Sequence, residues 1–360
     1  MTSLTGTTIS RKPWTWLLWA ATASVLAPLA VATAPAPAPT VVANGWTFAW
    51  PTPDPRPLQG APFEEWAQPT ASGKPVSALF GGVRNGGRKF HEGLDIAPYL
   101  KRRSGEATDP IFAVYEGTVV HVSATAGNSS YGRYIVIEHR TADLPVATLY
   151  AHLASIDDGI RPGVAVATGQ RIGIMGRSAS GYYIPRSRAH LHLEVALMKT
   201  TDFQNWFDWK GFKNNQHGLW NGINLVGFDP QRLFDTLRTG RFPGFAAYVQ
   251  SLPTAFRLHV ATRRRPDFLE RYPALEAPTT ATGERVGWLI DFTWYGLPKR
   301  WRPLMASEVP PAKDGDIRLV EYDPAAFPPK CDRALIMTDE GPKGMATALR
   351  NDLQLYFGFR

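Results

Sequence analysis

The sequence predicts a mainly β protein, on three observations. Charged residues make up only 19% of the chain, which holds 32 glycines and 31 prolines, a balance that suits turn-rich β structure better than long charged helices. Short β-type runs recur from about Val76 to Val195: Ile111 to Val114, Thr118 to Val122, Tyr134 to Glu138, Ala147 to Tyr150, Arg171 to Met175 and Leu191 to Val195. Turn residues punctuate them, and Gly163 and Gly169 bracket a Val-Ala-Val strand that Pro162 introduces. Strands so short and so closely spaced imply a compact antiparallel domain.

Taken in order, residues 1–32 have the make-up of an export signal. Arg11 and Lys12 form a basic start, Trp14 to Ala30 is apolar, and Ala30-Val31-Ala32 fits a small-x-small cleavage site. Left uncleaved, the same run approaches the roughly 20 residues that span a bilayer, although Pro28 interrupts it, and it would then be an N-terminal membrane anchor. Either way the bulk of the chain is expected outside the cytoplasm.

Residues 33–75 are expected to be a Pro/Ala-rich spacer and N-terminal extension, with Ala34 to about Pro57 extended because so proline-rich a stretch enters neither helix nor sheet interior. The main domain is placed at 76–240, with an aromatic, amide-rich insertion near 200–221 and a short helix from Gln231 to Leu237. Residues 241–360 are long enough for a small α+β accessory region, to which no role attaches. Within it, Trp288 to Tyr295 reads as a core strand rather than a sugar-binding platform.

The single cysteine, Cys331, rules out an intrachain disulfide. A net charge of +8 suits an anionic partner. The longest basic cluster is only Arg263 to Arg265, so nucleic acid is not the expected one. Oligomeric state is not legible.

Chemistry concentrates in two places. In Ala189-His190-Leu191-His192-Leu193-Glu194-Val195, alternation along a strand puts His190, His192 and Glu194 on one face and the leucines and valine on the other. In His91-Glu92-Gly93-Leu94-Asp95 an imidazole and a carboxylate stand four residues apart, with a glycine between them that lets the backbone bend. This is not an HExxH motif, since Asp95 stands where its second histidine would be. Two imidazoles and one carboxylate leave Zn²⁺ net positive with an open fourth position, the composition of a catalytic rather than a structural site. His152, in Thr148-Leu149-Tyr150-Ala151-His152-Leu153, ends a β run that could reach the same face.

These motifs, in the order H-x-x-x-D, Y-x-H-L and H-x-H, resemble the lysostaphin-like M23 metallopeptidases. The likeness extends to Phe80-Gly81-Gly82-Val83-Arg84, Asp95-Ile96-Ala97-Pro98, Ile111 to Val119, Tyr131-Gly132, Gly163 to Gly176 and Phe228-Asp229-Pro230. It implies an antiparallel β barrel-like sandwich, the duplicated hybrid motif, and a zinc ion held by His91, Asp95 and His192 with His152 and His190 catalytic. It also implies a zinc-dependent endopeptidase that hydrolyses peptide cross-bridges of bacterial peptidoglycan by metal-activated water, exported to the periplasm or cell wall. The alternative on the same fold is a non-catalytic wall-binding protein or amidase activator. The stretch from Arg177 to Ala189 is longer than the family's turn, and Tyr182 and Tyr183 either contact substrate or pack that loop.

Overall fold

The computed structural model describes residues 37–360. The export segment with its cleavage site therefore lies outside the described residues. Among the described residues no helix is long and apolar enough to cross a membrane.

The fold is mainly β, as the sequence predicts. Its principal sheet runs Ala165–Val166, Gly117–Ser123, Tyr134–His139, Val146–Ala151, Leu191–Met198 and Leu225–Phe228, every neighbour antiparallel. The short strand Leu94–Ile96 adds to the free edge of Leu191–Met198 ahead of Leu225–Phe228. A smaller sheet of Ser155–Ile156, Arg171–Ile174 and Pro110–Phe112 contributes Ile111 and Ile172 to the same core as Ile135, Tyr150, Leu191 and Leu193.

Leu191–Met198 is buried along its whole length, which is why its leucines and valine read so clearly as core. The expected helix is Pro230–Arg238, one residue longer at each end; the Asp229 side chain accepts from the Gln231 and Arg232 amides, and Pro230 sits in the first turn, where a missing N–H costs nothing.

The stretch from Thr40 to Ala49 differs from the extended spacer expected of it. Thr40–Ala43 and Trp46–Ala49 pair as an antiparallel hairpin, closed by Asn44 and Gly45 with φ of 47° and 83°. That is the Asn-Gly turn whose twist matches paired strands, and it outweighs the surrounding Pro/Ala composition. Phe48 and Trp50 are fully buried, Phe48 against Tyr115, Phe242 and Phe245 and Trp50 against Trp66 and Phe234. The insertion is also more ordered than its composition suggests: Phe203–Trp209 is a helix that buries Phe203 and Trp206.

Beyond Gly240, a four-stranded antiparallel sheet runs Pro298–Met305, Arg285–Phe292, Phe256–Ala261 and Ile317–Tyr322, and Thr347–Phe357 is the closing helix. The strand expected from Trp288 is Arg285–Phe292, with Trp288, Ile290 and Phe292 inside, while Trp294 and Tyr295 lie past its end. Residues 36–360 group as one unit. The Met198 amide donates to the Tyr272 hydroxyl at 2.9 Å, Lys199 pairs with Asp352 at 2.6 Å, and Phe80 and Phe90 pack on Tyr295.

Candidate metal centre and catalytic groove

His91 ends the Lys89–His91 strand, and Asp95 is the middle residue of Leu94–Ile96. Pairing sets Asp95 directly opposite His192, whose other flank is Ala151, the residue before His152. Three distant parts of the chain therefore meet at one point through sheet register alone. Gly93, between His91 and Asp95, is needed for a different reason from the bend expected of it. Its φ is outside the left-handed region, but a Cβ there would lie 2.5 Å from the Leu193 carbonyl and 2.8 Å from the His192 ring. Only a residue without a side chain lets the histidine strand come this close.

His91, Asp95 and His192 each offer a donor atom, and these atoms lie within 4.8 Å of one another. His91 Nδ1 donates to the Leu79 carbonyl at 2.8 Å, leaving Nε2 as the free donor. His192 faces the opposite way: Nε2 is 2.9 Å from Glu194 Oε1, and Nδ1 lies 2.9 Å from Asp95 Oδ1 and 3.1 Å from His91 Nε2. The Tyr131 hydroxyl donates to the same Glu194 oxygen at 2.6 Å. Anchoring the far nitrogen of each imidazole fixes ring orientation and tautomer, the support that metal-binding histidines need. The donor set thus fits a zinc ion in chemistry and in convergence.

Burial alone would push the Asp95 carboxyl up, but His91, His190 and the His192 hydrogen bond hold it well below the usual carboxylate range. His192 also pays a burial penalty that Asp95 and Glu194 outweigh, so its pKa is raised to about 9. Arg84 completes the cluster, its guanidinium 2.7 Å from His91 Nε2 and in contact with Asp95. One cation at a time can use those donors, so Arg84 and a metal ion compete for them.

His152 and His190 stand beside this set without joining it. Their rings are 4.7 Å apart, and His190 Nε2 is 3.7 Å from Asp95 Oδ1. Each has Nδ1 tied to a backbone carbonyl, His152 to Ser178 at 2.8 Å and His190 to Arg188 at 2.7 Å, which turns Nε2 of both outward. Burial lowers both pKa values, so both rings are neutral at pH 7. His152 also has a φ of 63°, an uncommon and strained conformation for a residue with a side chain and one that gathers at functional sites.

The site opens into a groove of about 510 Å³ lined by all of these histidines, Arg84, Tyr131 and Tyr182. Tyr182 and Tyr183 are 52% and 73% exposed and both line the groove, while the Arg177 guanidinium of the same loop lies 5.7 Å over the Tyr183 ring. Tyr131 and Arg84 lay in the sequence as parts of longer motifs, and nothing local marked Tyr131 as the support of Glu194.

The geometry is that of a candidate metal-binding site carried on antiparallel strands. Residues 89–204 match the sequence model of peptidase family M23. Similar solved structures include a putative M23 peptidase from Pseudomonas aeruginosa, at 25% identity over 29% of this chain and 37% of that one, with a TM-score of 0.22. The catalytic domain of prophage-encoded EnpA from Enterococcus faecalis is 23% identical over 36% of this chain and 79% of that one, TM-score 0.25. The catalytic domain of the antimicrobial peptidase lysostaphin from Staphylococcus simulans is 20% identical over 42% and 82%, TM-score 0.27. This chain thus spans well under half of the Pseudomonas protein. No curated protein matches the chain.

Proposed function

We propose that the protein is an exported zinc-dependent endopeptidase that hydrolyses peptide cross-bridges of bacterial peptidoglycan. The observation that carries this reading is the pairing of a convergent, separately anchored His-Asp-His donor set with two neutral histidines whose free nitrogens face the same groove.

His91, Asp95 and His192 would hold the metal, which when bound supplies an activated water and polarises the scissile carbonyl. The rest falls to the protein. His190 and His152 each present an unprotonated Nε2, so either would take a proton from the nucleophile and, once protonated, deliver it to the leaving amine or donate a hydrogen bond to the developing oxyanion. The groove is open enough for an extended peptide, and exposed Tyr182 and Tyr183 offer it flat apolar faces. The pendant peptides of a wall polymer are mobile strands of this kind, and the net charge of +8 draws the protein to an anionic envelope.

The test is release of soluble peptides from purified sacculi by the mature protein. The reading requires release that a chelator stops and added zinc restores. A zinc-loaded protein that releases nothing would instead favour a wall-binding or amidase-activating role.

A further inference from the structure

Beside the groove lies a second cavity of about 390 Å³ that shares Glu92, Tyr131, Gly222 and Ile223 with it. Its far wall comes from the chain beyond Gly240: Tyr295, Arg333, Asn351 and Asp352. Two basic side chains reach it. Lys199 is spoken for, bonded to Asp352 at 2.6 Å and to the Ile223 carbonyl at 2.8 Å. Arg333 is not: its Nε is buried with no partner, and among the described residues no carboxylate lies within 4.0 Å of it. Its guanidinium sits 5.0 Å over the ring of Phe90, the residue next to His91. Of the acidic groups nearby, Glu194 is held by Tyr131 and His192, and Glu92 is exposed on the shared rim.

A planar, always-charged fork, held by an aromatic face and with its buried Nε unpartnered, suits a planar anion with two acceptors. The two cavities meet at Glu92, Tyr131, Gly222 and Ile223, so the groove at the metal site is continuous with the Arg333 cavity. We propose that this cavity is a specificity subsite in which Arg333 binds a free carboxylate of the substrate peptide. The carboxylate is either the chain end or the side chain of a diacid residue. This rests on the endopeptidase reading and gives the C-terminal segment a task in it: that segment supplies the wall that selects acidic peptides over amidated ones.

The experiment measures binding by calorimetry to the full-length, zinc-loaded protein. The probes are tetrapeptides containing one diacid residue, with the chain-end and side-chain carboxyls free or amidated one at a time. The wild type should bind the free acid about tenfold more tightly than one of the two monoamides, the loss expected when one charge-assisted pair becomes neutral, and that monoamide names the carboxylate. R333Q should bind acid and amide alike, R333K should keep part of the preference, and zinc content and melting temperature should stay at wild-type values. A wild type indifferent to amidation, an R333Q variant that keeps the preference, or one that loses zinc would overturn the proposal. Binding is read without cleavage, so a protein that discriminates but never cuts sinks the endopeptidase reading and leaves the subsite standing.

Discussion

At the residue scale, His192 is the position on which protons and metal meet. Its Nδ1 is the atom it would offer a metal ion, and Asp95 and Glu194 raise its pKa to about 9. A group with a raised pKa keeps its proton until the pH climbs through that value, and a protonated nitrogen has no lone pair to give. Zinc affinity should therefore rise about tenfold per pH unit from pH 7 towards 9, with one proton released per ion bound near pH 7. Competition titrations with a chromophoric chelator, run at several pH values, check this; an affinity flat across that range would mean that His192 is not a ligand. His152 and His190 make the opposite case, since neither belongs to the donor set. Alanine at either should leave one zinc per chain while lowering kcat by about 10²- to 10⁴-fold, the usual worth of a positioned acid or base. Zinc stoichiometry measured alongside hydrolysis separates that outcome from a simple loss of metal.

At the element scale the site is a consequence of register. The Leu191–Met198 strand is flanked by Asp95 on one side and Ala151 on the other at the level of His192, so a slip of one residue would turn His192 to the opposite face. That much was legible in the sequence, because alternation along a strand and the spacing of His91 and Asp95 are local patterns. The reason for Gly93 was not. It lies in the approach of the Leu193 carbonyl from a strand some hundred residues away, and local sequence suggests only a bend. Gly93→Ala should cost about 1–3 kcal/mol by overpacking and weaken zinc binding as His192 is displaced. Thermal denaturation and zinc titration of the variant check both, and wild-type values for both would show that the strands can part at no cost. The Thr40–Ala49 hairpin teaches the converse: its Asn-Gly turn was present to be read, but the proline-rich composition around it pointed to a spacer.

On the scale of the whole molecule, the chain beyond Gly240 is built into the same body as the peptidase strands, with buried Leu258, Trp288 and Leu353 in one core with Leu191 and Val195. Lys199, at the end of the histidine strand, pairs with Asp352 of the last helix, and both are almost wholly buried. Removing one partner leaves a buried charge unmatched, so Lys199→Met should destabilise the protein by about 3–5 kcal/mol. Calorimetry should show one transition, shifted down as a whole; two transitions of which only one moves would mean that the C-terminal segment folds separately. None of this could be anticipated locally. No motif marks Arg333 or Asp352, because their places in the cavity wall arise from which surface the C-terminal segment covers.

On the proposed function, the His91, Asp95 and His192 set would make the protein cut peptide bonds in the wall. It is tested most directly by mass spectrometry of the products released from purified sacculi by the wild type and by His192→Ala, each with zinc supplied. New peptide amino and carboxyl termini are expected from the wild type, at a defined cross-bridge bond, and none from the variant. Products that are equally abundant with the variant, or that carry new sugar ends in place of peptide ends, would contradict it.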